Sequence, residues 1–155
     1  MLEEIRLPSF KSVRSARLPL RDLTLLVGRN GSGKSNVLEG LWVLSRLAGG
    51  GDIRGLLDGG RDGPAVRGGV EGCAPIGSDT FELGCTVGTH DGHLHLEVRI
   101  CVRPVVQVVH ERLRWEPRSK KAKPRTLLES EAPDLDSADL TARWDNRRPG
   151  VNPAV

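Results

Sequence analysis

"LLVGRNGSGKSNVLEGL", residues 25–41, decides how this chain is read. An apolar run breaks into a glycine-rich stretch with a lysine, then resumes at helical spacing. Gly28-x-x-x-x-Gly33-Lys34-Ser35 has the phosphate-loop spacing, with a strand expected before it and a helix after it. Each residue type has a reason to be there. Glycines at 28, 31 and 33 let the backbone turn tightly and aim successive N–H groups at one point. The first turn of the following helix adds free N–H donors and the positive end of its dipole. Lys34 is expected to reach the β- and γ-phosphates of a nucleotide, and the Ser35 hydroxyl to ligate Mg²⁺.

Outward from this loop, "LTLLV" (23–27) is apolar throughout, which predicts a strand buried on both faces. Residues 2–8 and 13–20 predict two short strands separated by Ser9-Phe10-Lys11-Ser12. On the other side a helix is predicted from Lys34 to Ala48. Val37, Leu38, Leu41, Trp42, Leu44 and Leu47 cover most of its circumference, so a largely buried helix is expected, stopped by Gly49–Gly50–Gly51.

Residues 49–77 hold eleven glycines without periodicity and read as a long flexible connector, with one helical turn at "IRGLL". "TFELGCTV" and "HLHLEVRICV" alternate with period two around Asp91–Gly92, a favoured hairpin turn. That turn pairs Val87 with Leu96, Cys85 with Val98, Leu83 with Ile100 and Phe81 with Val102, all apolar, and places His93 and His95 on the polar face. A third antiparallel strand is expected in "VVQVVHERLRW" after Pro104. From residue 117 the basic "PRSKKAKPR" and acidic "ESEAPDLDSAD" blocks predict a charged, irregular tail.

"GRNGSGKSNVLEGL", preceded by "IRLPSFKSVRSARLPLRDLTLLV", resembles the N-terminal half of ABC-type ATPase heads of the SMC, RecF and OLD group. It is most similar to the AAA-family ATPases of bacterial repair and phage-defence systems. Ser9-Phe10-Lys11-Ser12 corresponds to their basic-aromatic segment. Asn36 with Leu38-Glu39-Gly40-Leu41 corresponds to their "SN-x-LEAL", Gly40 replacing the commoner alanine. The resemblance implies an α/β P-loop NTPase lobe of the ABC-ATPase-head type with an antiparallel β subdomain, incomplete at the C-terminus. It would be a single lobe over 1–155: strands, loop and helix to 48, connector 49–77, antiparallel subdomain 78–116, tail 117–155.

The resemblance also implies ATP and Mg²⁺ as ligands. Gly28, Arg29, Asn30, Gly31, Ser32, Gly33, Lys34, Ser35 and Asn36 would hold the nucleotide. Phe10 would stack on adenine with Lys11 near the phosphates; the alternative is Phe10 as a core plug. Such heads bind ATP between two protomers and use hydrolysis for work on DNA or on a partner nuclease, so a homodimer with DNA repair or phage-defence work is implied. A non-hydrolysing nucleotide-binding regulatory module is the rival reading.

Hydrolysis in such heads needs a strand ending in Asp-Glu and a serine-glycine signature. "VVQVVHE" (105–111) is the nearest candidate strand, but His110 stands where the aspartate belongs. Its short connection to the preceding strand allows only an antiparallel neighbour, not a strand parallel to the phosphate-loop strand. No catalytic residue is therefore assigned, and the chain reads as the first lobe of a longer protein.

Weaker signals have plainer readings. Asp52-Ile53-Arg54-Gly55 matches a GTPase D-x-x-G by chance, since it follows glycines rather than a strand. His90, His93 and His95 read as polar surface rather than a metal site. Gln107 reads as an exposed strand residue. Lys120, Lys121, Lys123 and Arg125 could touch DNA phosphates, but a solvated linker is expected because an acidic block follows.

The totals set the outer bounds. The 155 residues, 37% hydrophobic and 28% charged, suit one domain whose core must be aliphatic, because only two Phe and three Trp are present. A net charge of +3 permits an acidic partner without requiring one. Three cysteines without a C-x-x-C pair predict a reducing, cytoplasmic setting. No apolar run reaches the roughly 18 residues of a membrane span.

Overall fold

A computed structural model describes residues 1–50, 52–60, 63–135, 137 and 139–145. Its centre is one antiparallel sheet. β1 (Leu2–Phe10) and β2 (Val13–Pro19) are the two predicted strands and pair as a hairpin turning at Lys11–Ser12, with Ser9 and Phe10 in β1 rather than between the strands. β3 (Thr80–Gly88), β4 (Gly92–Cys101) and β5 (Gln107–Pro117) follow as a meander, and β6 (Arg125–Glu131) and β7 (Thr141–Trp144) extend it. The strand order is β2-β1-β3-β4-β5-β6-β7, every neighbour antiparallel.

The helices lie on one face of this sheet. α1 (Lys34–Ala48) has the predicted limits, and α2 (Ile53–Asp58) is the predicted turn at "IRGLL". Asp52 caps α2, its carboxylate accepting the Gly55 N–H at 2.6 Å, which gives that aspartate a structural task. Phe10 from β1, Val43 from α1, Leu57 from α2, and Phe81 and Ile100 from β3 and β4 form one core with Val66, Val70 and Cys73. Gly40 lets α1 approach β1 closely, since a Cβ there would sit 2.6 Å from Leu7 Cδ2.

Five expectations change. Residues 23–27 are not a buried strand: Leu23, Leu25 and Val27 are 75%, 74% and 91% exposed. A strand buried on both faces needs hydrogen-bonded neighbours and covering layers, and none flanks this segment among the described residues. α1 is correspondingly less buried than predicted. It buries Gly40, Val43 and Leu44 towards the sheet and leaves Leu38 58% exposed.

The hairpin register shifts by two residues. Phe81 pairs with Ile100, Leu83 with Val98, Cys85 with Leu96 and Val87 with Leu94. The turn centres on His90–Asp91, closed by Thr89, whose N–H donates to the Gly92 carbonyl at 2.8 Å and whose hydroxyl accepts the Gly92 N–H at 3.1 Å. A two-residue shift keeps every side chain on its face, so the apolar and polar faces are those the alternation predicts.

The 49–77 connector is built into the fold over its described residues. Val66 N–H donates to Leu57 O at 2.7 Å and Val70 N–H to the Asp58 carboxylate at 2.7 Å, with Val66, Val70 and Cys73 buried. Its glycines serve these bends, Gly68 and Gly69 having φ of +85° and +63°. The tail is not wholly irregular, because β6 pairs with β5 and β7 with β6. Its charged blocks find opposite charges there, Arg112 with Glu129 at 3.5 Å and Arg125 with Asp145 at 2.8 Å. Residues 146–155 lie outside the described residues.

Candidate phosphate-binding cleft

The glycine-rich loop enters α1 through two left-handed glycines, Gly31 (φ +81°) and Gly33 (φ +86°), a backbone state that side chains resist. Gly33 is the N-cap, and its carbonyl accepts the Val37 N–H at 3.0 Å. Lys34 folds back over the loop, its ammonium donating to Gly28 O at 2.6 Å and Arg29 O at 2.7 Å. A cation is thus held within a ring of backbone, at the amino end of a 15-residue helix.

A cleft of about 790 Å³ opens here, lined by Asn30, Gly31, Ser32, Gly33, Lys34, Ser35 and Asn36. Its other wall is Lys11 and Ser12 from the β1–β2 turn, with Arg67, Gly68 and Gly72 from the former connector. These described lining residues are backbone, hydroxyl, amide and cationic groups. That donor set suits a polyanion such as a nucleotide's phosphates. Ser35, the residue the sequence offers as a Mg²⁺ ligand, lines the cleft directly after Lys34.

The two walls are tied together by hydrogen bonds. Asn36 Nδ2 donates to Ser12 Oγ at 2.8 Å, and Arg67 Nη2 donates to Asn36 Oδ1 at 2.7 Å. Beneath them Glu39 meets Lys11 Nζ at 2.8 Å and accepts the Arg67 backbone N–H at 2.8 Å. Burial pushes the Glu39 carboxyl up. The hydrogen bonds from Lys11 and the Arg67 amide, with both positive charges, outweigh this and hold it below its ordinary value.

Sequence reasoning missed Arg67 as a wall of this cleft. Its signal was slight: one arginine before two glycines in a stretch read as flexible. Phe10 is corrected. Its ring is wholly buried, edge-on to Phe81 at 5.8 Å between centroids, and offers no face to an adenine. Gly28 and Arg29 carry the carbonyls that hold Lys34.

The remaining candidates lie elsewhere. His93 pairs with Glu3 at 3.3 Å and His95 with Glu116 at 3.2 Å, and among the described residues no three metal-ligating side chains gather. Gln107 opens β5 and donates to Leu135 O at 2.9 Å. Lys120, Lys121 and Lys123 are exposed between β5 and β6. Burial pushes the Cys73 thiol up to about 12, against the pull of Lys11, so it is no nucleophile at neutral pH.

Residues 1–55 match a family model described as an AAA ATPase domain. The match takes in β1, β2, the glycine-rich loop and α1, and stops short of Arg67. It supports nucleotide binding of the AAA-ATPase kind for this part of the chain. No curated protein matches the chain. Among the described residues, no helix is long and apolar enough to cross a membrane.

Proposed function

We propose that the cleft binds ATP with Mg²⁺, and that the chain is the ATP-binding lobe of an ABC-type ATPase head of the SMC, RecF and OLD group. One observation carries the reading: Lys34 is held by Gly28 and Arg29 carbonyls beside left-handed Gly31 and Gly33, at the amino end of α1. The AAA ATPase match over the same residues supports it.

Binding exchanges one set of contacts for another. The Lys34 ammonium leaves neutral carbonyls for phosphate oxygens, which form stronger charge-assisted hydrogen bonds. The N–H groups opening α1 face the same anion. Lys11 and Arg67 bring further positive charge to the opposite wall. Mg²⁺ would be held on the protein side by Ser35 and would neutralise phosphate charge.

Turnover is assigned to an assembled dimeric head in the cytoplasm, with DNA or a partner nuclease receiving the work. The described cleft lining contains no carboxylate to orient an attacking water, so a second protein surface would have to supply one. Titration calorimetry with MgATP tests the binding step. Lys34→Ala is expected to weaken affinity by roughly 30- to 1000-fold, the loss of about 2–4 kcal/mol of charge-assisted contact. Equal affinity of the two proteins would refute the assignment.

A further inference from the structure

Glu39 lies one helical turn beyond the phosphate loop and lines no part of the cleft, yet it grips the opposite wall. Its Oε1 accepts the Arg67 N–H at 2.8 Å, and its Oε2 lies 2.8 Å from Lys11 Nζ and 3.4 Å from Arg67 Nη2. Lys11 closes the ring by donating from Nζ to the Arg67 carbonyl at 2.5 Å. Both backbone polar groups of Arg67 are therefore held, one by Glu39 and one by the lysine that Glu39 holds. The Lys11 main chain adds a further tie, its N–H donating to Cys73 O at 2.9 Å.

This ring is sheltered: the Lys11 and Glu39 side chains are 9% and 17% exposed, whereas Arg67 is 66% exposed. Lys11 sits at φ +54°, a left-handed state that a lysine keeps only where its surroundings hold it. The glycines after Arg67 give the loop no stiffness of their own. Without the ring, the 67–72 segment keeps the Val70 N–H bond to Asp58 at 2.7 Å, the Arg67 Nη2 bond to Asn36 at 2.7 Å and the Glu71–Arg103 contact at 3.7 Å, none of which holds the Arg67 main chain.

We propose that Glu39 is a positioning residue for the cleft, a single carboxylate that seats the 67–72 loop opposite the phosphate loop and so completes the site. The proposal rests on the nucleotide-binding reading for its effect on affinity, but the clasp itself does not. Removing the clasp lowers the fraction of molecules with the wall in place, and apparent affinity falls in the same proportion. Glu39→Gln retains an oxygen for the Arg67 N–H and loses the charge that orients Lys11, so it should fall between wild type and Glu39→Ala.

The test pairs amide hydrogen exchange on the nucleotide-free chain with MgATP calorimetry, for wild type, Glu39→Ala, Glu39→Gln and Lys34→Ala. Glu39→Ala is expected to speed exchange of the Arg67 amide at least tenfold while the β3–β5 amides keep their rates. MgATP affinity should fall about tenfold if the wall is formed in one molecule in ten. Lys34→Ala should lose MgATP yet leave exchange at Arg67 unchanged. Unaltered exchange at Arg67 in Glu39→Ala overturns the clasp. Accelerated exchange with wild-type MgATP affinity overturns its role in the site. If wild type itself does not bind MgATP, the nucleotide reading fails and the exchange result alone judges the clasp. Should Glu39→Ala not fold, Glu39→Gln carries the same comparison.

Discussion

Gly92 shows how one residue type can serve two purposes. It opens β4 beside the turn, where a Cβ would run into the Glu116 carbonyl oxygen of β5 and lie 2.8 Å from Trp115 Nε1. Its role is close approach between strands rather than left-handed backbone, because Lys11 and Ser15 are the described non-glycine residues with positive φ and Gly92 is not among the positive-φ glycines. Gly92→Ala should therefore cost about 1–3 kcal/mol of stability, since backbone rather than a side-chain tip must move. Urea unfolding measures it, and an unchanged midpoint would mean β5 does not come so near. The glycines of the phosphate loop were legible because their spacing encodes their backbone state. Gly92 was legible as special but was assigned to the turn, because Asp-Gly reads the same whether the glycine bends the chain or admits a neighbour. Arg67 was barely legible. Its place depends on the reach of Glu39 from a helix 28 residues earlier in the chain.

Helix α1 and the alternating strands were legible from local pattern, whereas the burial of 23–27 and the recruitment of β6 depend on partners elsewhere in the chain. α1 begins at Lys34 and ends at the triple glycine because capping and apolar spacing are written into consecutive residues. The 80–101 hairpin kept its faces because alternation fixes them, although the turn fixes the exact pairing. Residues 23–27 carry the apolar run of a buried strand, but burial is a property of the surroundings, and among the described residues no strand flanks them. In this chain Leu25→Ser should change the melting stability by no more than about 0.5 kcal/mol, as for exposed positions generally. A loss of several kcal/mol would mean the segment is packed. β6 was hidden because its charges suggested solvation, whereas backbone pairing to β5 and the Arg112–Glu129 contact recruit it to the sheet.

At the scale of the molecule, one sheet carries a helical layer on one face and a charged surface on the other. On that second face Arg6, Gly84, Glu97, Arg112, Glu129 and Arg143 follow one another across six strands, with charges alternating from Glu97 onward. The cleft lies at the edge where the β1–β2 turn, the amino end of α1 and the 67–72 loop converge. The match to an AAA ATPase domain covers the first two of these three parts, and the structure adds the third. Titrating MgATP into the ¹⁵N-labelled chain and following every amide signal tests the site's location most directly. Large shifts are expected at Gly31, Gly33, Lys34 and Ser35, smaller ones at Lys11, Arg67 and Gly68, and still signals along β4 to β7. Shifts confined to the charged face of the sheet, or no shifts at the phosphate loop at saturating MgATP, would contradict it.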